Sequence, residues 1–110
     1  MGVPNATKFA AINAVSGLGS WVNVLTGAGG TTGANEATTA RAQTTWPSNA
    51  NPVTGSTVTV GVAPAGTYVE FGVWSAVTSG TFVYSQSFAG GNVVVSGAGA
   101  NILITPSITF

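Results

Sequence analysis

The sequence predicts a mainly β protein, with a single β-sandwich or jelly-roll-like domain preceded by a short N-terminal helix. The first observation is length: 110 residues suit one domain, so we expect residues 1–110 to form one unit, with residues 1–18 as its N-terminal arm and helix. The second is the alternation of apolar and hydroxyl residues from Ser56 onward. The third is the spacing of glycine-containing turns, about every 8–12 residues, which is typical of sandwiches and barrels.

Residues 5–16, NATKFAAINAVS, have the spacing of a short helix. Asn5 is the expected N-cap after Pro4, and Gly17 is expected to end the helix. Phe9 and Ile12 share one face. Because the segment is short, tertiary docking rather than intrinsic propensity must stabilise it.

After Gly19 the period changes from helical to alternating, and residues 21–25 are predicted as a strand. A long loop follows from residue 27, residues 41–46 are predicted to be extended, and residues 47–55 form a second loop. Later strands are expected at residues 57–62, 68–74, 82–86, 93–95 and 101–110. Pro106 cannot donate a ladder hydrogen bond, so it predicts an edge or a bulge.

Charge is almost absent, since the chain has two basic and two acidic residues and no net charge. They are Lys8, Glu36, Arg41 and Glu70. Two cations cannot form the basic patch that a nucleic-acid partner or an anionic membrane surface requires. No apolar run reaches the roughly 18 residues of a membrane helix, so membrane insertion is not expected either.

The groups that usually perform catalysis are also missing, because the chain has no histidine, cysteine or aspartate. We therefore expect no enzyme activity, no metal site and no cofactor. Two remote alternatives stay open: a serine–lysine dyad using Lys8, and a hydrolase pair of Glu36 and Glu70. The hydrolase pair requires carboxyl groups within about 5–10 Å of each other.

Glu36 and Arg41 lie five residues apart in a loop of small residues, GTTGANEATTARAQTTW, from Gly30 to Trp46. A long loop has many backbone groups to satisfy, and a bidentate ion pair can fix its shape. We predict a salt bridge that organises residues 27–45. The alternative is that one of the two side chains contacts a neighbouring subunit.

Gly72 lies in the middle of a predicted strand, on the same face as Glu70 and Trp74. A glycine inside a strand usually marks a bulge or a close approach. We predict that an aromatic ring lies over Gly72, and we nominate Trp46.

Three segments together resemble the small tail-fibre-like virion proteins of bacteriophages. The segment GTTGANEATTARAQTTW is similar to their block GTTGANE…ARQ..TW, and EFGVWSAVTSGTF at residues 70–82 is similar to HFGLWSAATGGTF. Between them, VTVGVAPAGTYV is similar to VTFDVPAGTTV. Order and spacing agree, and the resemblance covers most of the chain from about Phe9 onward. The residues that correspond by position to the family's recurrent ones are Glu36, Arg41, Trp46, Gly72 and Trp74.

The resemblance implies a non-enzymatic, β-rich structural component of a virion, assembled in the host cytoplasm as part of a tail or fibre or as head decoration. The family usually has histidine where Glu70 stands, so this chain departs from it by carrying an acidic residue there. Expected partners are copies of the chain, most simply in a trimer, and other capsid or tail proteins. A neutral exterior of threonine, serine, asparagine, alanine and valine suits such packing, because no charge must be desolvated.

Carbohydrate binding is the rival function, as a receptor-recognition module that binds host surface glycans. The chain has three tryptophans and two tyrosines that could stack on sugar rings. Most of them alternate with apolar residues, which indicates a core position. A glycan site would show at least two aromatic side chains in one exposed groove.

Overall fold

The computed structural model describes residues 2–109 and has a mainly β architecture with one short N-terminal helix, which confirms the predicted fold class. The elements, in chain order, are α1 (Asn5–Ser16), β1 (Trp21–Leu25), β2 (Ala42–Gln43), β3 (Val53–Thr54), β4 (Val58–Ala63), β5 (Gly66–Tyr68), β6 (Glu70–Trp74), β7 (Phe82–Ser87), β8 (Val93–Val95), β9 (Ala100–Ile104) and β10 (Ser107–Ile108). Within residues 2–109, no helix is both long and apolar enough to cross a bilayer.

Helix α1 has the predicted bounds, but its N-cap differs from the prediction. The N-cap is Pro4, whose carbonyl accepts the first helical hydrogen bonds, and Asn5 is already the first helical residue. No side chain caps this end. As predicted, docking holds the helix: Ile12 is fully buried, and Asn13 exchanges two hydrogen bonds with Asn49.

An antiparallel four-stranded sheet in the order β2-β1-β6-β7 forms one layer. Alternation in β1 gives the sheet two different faces. Val22 and Val24 pair with Val73 and Phe71, and all four side chains enter the main core. The opposite side of β1 and β6, called here the outer face, carries six residues: Trp21, Asn23, Leu25, Glu70, Gly72 and Trp74.

The second layer consists of two antiparallel ladders, β4–β9 and β5–β8. Its inward side chains complete the main core and include Val58, Val60, Ala63, Tyr68, Val95, Ile102 and Ile104. A third short ladder, β3–β10, joins the helix in a smaller cluster of Ile12, Val53 and Ile108.

The strand predicted over residues 68–74 is divided at Val69, and this prediction was wrong. Residues up to Tyr68 pair with β8, whereas those from Glu70 pair with β1 and β7. Tyr68 and Phe71 both enter the core although they are three residues apart, which one continuous strand of period two cannot achieve. The chain passes between the layers here, and the Val69 N–H donates to Leu25 O across 2.9 Å.

The segment predicted as a loop at residues 47–55 contains the two-residue strand β3. Its register places Thr54 opposite Ser107 and Val53 opposite Ile108. Pro106 lies between β9 and β10 rather than inside a ladder, and its carbonyl accepts a bond from Gly55. A strand of two residues is too short for alternation to be recognised in the sequence. Its partner strand is also distant in sequence, so no hairpin pattern indicates the pairing.

Candidate functional site: a loop clamped over the sheet

Residues 26–41, called here the cover loop, fold back over the outer face of the sheet. The loop leaves β1 and first returns beside it, where the Thr26 N–H donates to Asn35 O and the Ala37 N–H to Val24 O. Glu36 consequently lies opposite Leu25 in an isolated antiparallel bridge. The small residues of the cover loop therefore lie over one side of the sheet.

Glu36 and Arg41 form the predicted salt bridge. Arg41 Nε donates to Glu36 Oε2 and Nη2 to Oε1, both at 2.8 Å, so the pair is bidentate. The Arg41 side chain is only 8% exposed and that of Glu36 is 26% exposed. The pair therefore lies largely away from water, and charge-assisted bonds of this geometry are among the strongest in proteins.

Arg41 also fixes the cover loop to the turn between β6 and β7. Its Nη1 atom donates to Ala76 O at 2.9 Å and to Ser79 O at 2.7 Å. Its guanidinium carbon lies 4.3 Å from the centroid of the Trp74 ring, within cation–π range. The Arg41 side chain thus connects the cover loop to the turn between β6 and β7 and to the outer face of the sheet. This is the role in fixing the loop that the sequence predicted for the pair.

Asn23 completes the polar network beneath the loop, and sequence reasoning did not identify it. It is fully buried, and its Nδ2 atom donates to Glu36 Oε2 and to Thr39 O, each at 2.8 Å. Its Oδ1 atom accepts from the Thr39 hydroxyl and from the Val24 N–H. The available signal was an amide at an alternate strand position between two valines, where a buried side chain must find partners.

The electrostatics of Glu36 suit a structural ion pair. Burial would raise the pKa of its carboxyl, but the hydrogen bonds from Arg41 and Asn23 and the positive charge of Arg41 outweigh burial and hold the pKa below its ordinary value of 4.5. A general acid needs a raised pKa instead. Both carboxylate oxygens are already bonded, so Glu36 is held as an acceptor.

Glu70 holds the other end of the cover loop. Its Oε1 atom accepts the Gly29 N–H at 2.9 Å. Glu36 and Glu70 both lie opposite Leu25, one on each side of it, so two strand spacings of about 4.8 Å separate their backbones. The two carboxylates bind different partners, which assigns each of them a role in loop attachment.

Two aromatic rings lie over Gly72, as predicted, but Trp46 is not one of them. A Cβ atom at Gly72 would lie 2.8 Å from Trp74 Cη2 and 3.3 Å from Phe82 Cε1. Trp74 stands two residues further along the same face, so its own ring can fold back over the glycine. Phe82 comes from the neighbouring strand β7, and the two ring centroids lie 5.4 Å apart.

Trp46 belongs to a different part of the molecule, so its predicted position was wrong. Its Nε1 atom donates to Gly19 O at 2.9 Å, and its ring packs beside Gly55 and the small cluster around Ile12. The residue lies after β2, where the chain has already left the outer face. Sequence order could not reveal this departure, because the β2 ladder is only two residues long.

Glycines allow the cover loop to lie directly on the sheet. Gly33 has a φ of +73°, and a Cβ there would lie 2.8 Å from Phe82 Cδ1. At Gly29 an added Cβ would lie 2.8 Å from Ser85 Oγ and 2.9 Å from Leu25 Cδ1. Close packing against the sheet therefore favours glycine at both positions, and Gly33 also needs its positive φ.

Two clefts border this part of the fold. One of about 370 Å³ lies between the end of the cover loop and the 77–79 turn, beside the ion pair. The other, of about 580 Å³, lies between α1 and the 43–48 segment and is lined by amide and hydroxyl groups, with Trp46 as the one aromatic residue among residues 2–109 that line it. Both clefts are open to solvent. The side chains that border them mainly attach one segment of the chain to another.

No protein-family model matches the chain, and comparisons with curated proteins and with solved structures find no similar protein. The likeness to phage virion proteins therefore stays a prediction from the sequence motifs. The site itself is defined by its geometry: four of the five motif residues meet where the cover loop contacts the sheet, namely Glu36, Arg41, Gly72 and Trp74.

Proposed function

We propose that the protein is a non-enzymatic structural component of a bacteriophage virion that assembles on the particle surface, in a tail or fibre or as head decoration. The observation that carries the proposal is where the charges lie. Glu36 and Arg41 bind each other, and Glu70 binds the cover loop. The exterior is left with very little charge to keep separate molecules apart.

Free strand edges support the same proposal. In the described part of the chain, β7, β8 and β9 are each hydrogen-bonded to a neighbour on one side only. None of the three contains a charged residue or a proline, which are the usual means by which edges avoid pairing. An uncharged surface with open edges is suited to a permanent lattice or a ring of subunits.

Glycan binding is the second candidate, and the cleft beside α1 favours it. Amides and hydroxyls from Asn13, Gln43 and Ser48 surround Trp46 there, and such groups recognise sugars. The described lining of this cleft holds one aromatic ring, that of Trp46, and its Nε1 atom is already bonded to Gly19 O. Glycan array binding that is lost in Trp46→Ala, with the fold retained, would favour this function over assembly alone.

Particle labelling tests the proposal directly. Antibodies against the purified protein should decorate gradient-purified particles of the phage that encodes it, at a fixed place on the virion seen by negative-stain microscopy. Pre-incubation of the antibodies with the purified protein should abolish the decoration. Particles that carry none of the protein by both immunogold labelling and mass spectrometry would contradict the proposal.

A further inference from the structure

Two segments lie over parts of the sandwich, the cover loop and helix α1, and they are held in different ways. The cover loop is attached by an ion pair, a buried amide and a second carboxylate. Within residues 2–109, no ion pair joins α1 to the rest of the chain, and Ile12 is its one fully buried side chain. Its two hydrogen bonds between Asn13 and Asn49 lie at the exposed surface. Helix α1 is therefore the more weakly attached of the two segments.

The helix also has little stability of its own. It has twelve residues, no side-chain N-cap, no acidic residue in its first turn and no basic residue in its last turn. Isolated helices shorter than about 12–15 residues are marginal in water, and α1 lacks the terminal groups that would stabilise it. Its helical state consequently depends on the small cluster that Ile12 forms with Val53 and Ile108.

The packing beneath α1 is small and open on one side. In the described part of the chain, this cluster contains three buried side chains, whereas the main core contains eleven. The cleft of about 580 Å³ separates Asn13, Ser16 and Gly17 at the end of the helix from the 43–48 segment. Because hydrophobic stabilisation grows with the apolar area that is buried, undocking α1 should cost much less free energy than opening the main core.

The connection between α1 and β1 contains a fixed point next to two exposed residues. Gly19 O accepts the Trp46 Nε1–H at 2.9 Å, and a Cβ added at Gly19 would lie 2.5 Å from Trp74 O, so Gly19 is held against the sandwich. Just before it, Gly17 and Leu18 are exposed, and Leu18 is 61% exposed although it is apolar. Residues up to Leu18 can therefore move while β1 keeps its place.

We propose that α1 undocks from the sandwich as one unit, with Gly17 and Leu18 as the hinge. Undocking exposes Val53 and Ile108 while the two layers of the sandwich stay folded. An apolar surface is thus hidden in the docked state and accessible in the undocked state, so the position of α1 controls access to it. This conformational inference goes beyond the proposed function and does not depend on the virion assignment.

Cysteine labelling tests the proposal, because the chain has no cysteine of its own. Val53→Cys places a thiol beneath α1, and Val60→Cys places one in the main core; both valines are 0% exposed. Each labelling rate with a thiol reagent is divided by the rate of the same variant when unfolded. Without urea, Val53→Cys should react at least about tenfold faster than Val60→Cys. Its rate should also depend less on urea, because undocking exposes less surface than unfolding does.

Amide hydrogen exchange of the unaltered protein identifies the segment that moves. The amides of residues 9–16 should show the opening free energy and the weak urea dependence of Val53→Cys labelling, and those of β1 and β6 should exchange only through global unfolding. Ile12→Ala removes the buried contact that undocking breaks, so it should speed Val53→Cys labelling at least about tenfold. The control Lys8→Ala, on the same helix, should leave that rate nearly unchanged.

Three results would overturn the proposal. Equal labelling rates and equal urea dependence for the two cysteine variants would mean that α1 leaves only when the whole protein unfolds. Amides of α1 as protected as those of β1 would mean the same, and this measurement needs no variant. Fast labelling of Val53→Cys together with protected α1 amides would assign the opening to the β3–β10 ladder instead.

Discussion

The outer faces of the two layers differ: one is covered by a loop of the chain, and the other is uncovered. The outer face of the four-stranded sheet is covered by the chain's own loop and holds an ion pair, a buried amide and two packed rings. The outer face of the second layer is uncovered and uncharged. Its directly opposed pairs are Thr59–Leu103 and Thr67–Val94, with both apolar members exposed.

The difference shows that very few charged side chains are enough to fix the geometry of a loop when they are buried and paired. A buried charge is costly unless it is paired, and a pair that is held by further hydrogen bonds fixes one geometry of the surrounding loop. Here the pair shapes the cover loop, and the rest of the surface carries very little charge. The covered face therefore supplies internal order, whereas the uncovered face keeps exposed apolar side chains.

Removing Arg41, which holds the cover loop on the covered face, should have the largest effect on stability. Arg41→Ala removes the charged partner of Glu36, the donor to the Ala76 and Ser79 carbonyls and the contact with the Trp74 ring. We expect the free energy of unfolding to fall by about 3–5 kcal/mol in urea titrations.

The matched control is the other cation, Lys8, which lies partly exposed on α1. Lys8→Ala should change stability by no more than about 0.5 kcal/mol. A cost below about 1 kcal/mol for Arg41→Ala would mean that the pair behaves as a solvent-exposed one and that the cover loop is held by other contacts.

Filling the space under the two rings should have an intermediate effect. Gly72→Ala places a Cβ within 2.8 Å of the Trp74 ring, so the rings must shift, at a cost of about 1–3 kcal/mol in the same assay. Gly90→Ala is the control, because no atom lies within 4 Å of its added Cβ. A tolerated Gly72→Ala with unchanged near-ultraviolet circular dichroism would contradict the close packing.

Acid should weaken the covered face more gently. The pKa of Glu36 lies below 4.5 in the folded protein, so the pair stabilises the fold fully above that value and loses its contribution as pH falls from about 4.5 through the folded pKa. The urea midpoint should decline over this range in the native sequence and decline less in Glu36→Gln. Glu70→Gln should retain the decline, because it leaves the pair intact. Parallel pH profiles for the native protein and Glu36→Gln would exclude the pair as the cause.

Much of the fold was predictable because local patterns carry it. The helix at 5–16, the strand at 21–25 and the Glu36–Arg41 bridge depend on short sequence separations, and the structure confirms them. Alternation also located β4 and β7 to within a residue or two. The local pattern of apolar and polar residues is enough to locate these elements, because their positions depend little on distant segments.

What the sequence could not predict depends on contacts between distant segments. The change of layer at Val69 has no breaker residue, and only the pairing of Tyr68 with Val93 and of Glu70 with Leu25 reveals it. The ring over Gly72 was predicted, but its identity required the path of the whole chain. Asn23 was overlooked because its partners, Glu36 and Thr39, come from the cover loop.

We propose that the placement of charged side chains inside the fold leaves a nearly neutral surface through which the protein associates. Sedimentation velocity of the purified protein over a range of concentrations, at about 0.01 M and about 1 M salt, tests it most directly. We predict an oligomer, most simply a trimer, whose dissociation constant changes little between the two conditions and whose interface buries more than about 1,000 Å². A monomer at high concentration that also fails to bind purified particles would contradict the claim, as would an assembly that dissociates in high salt.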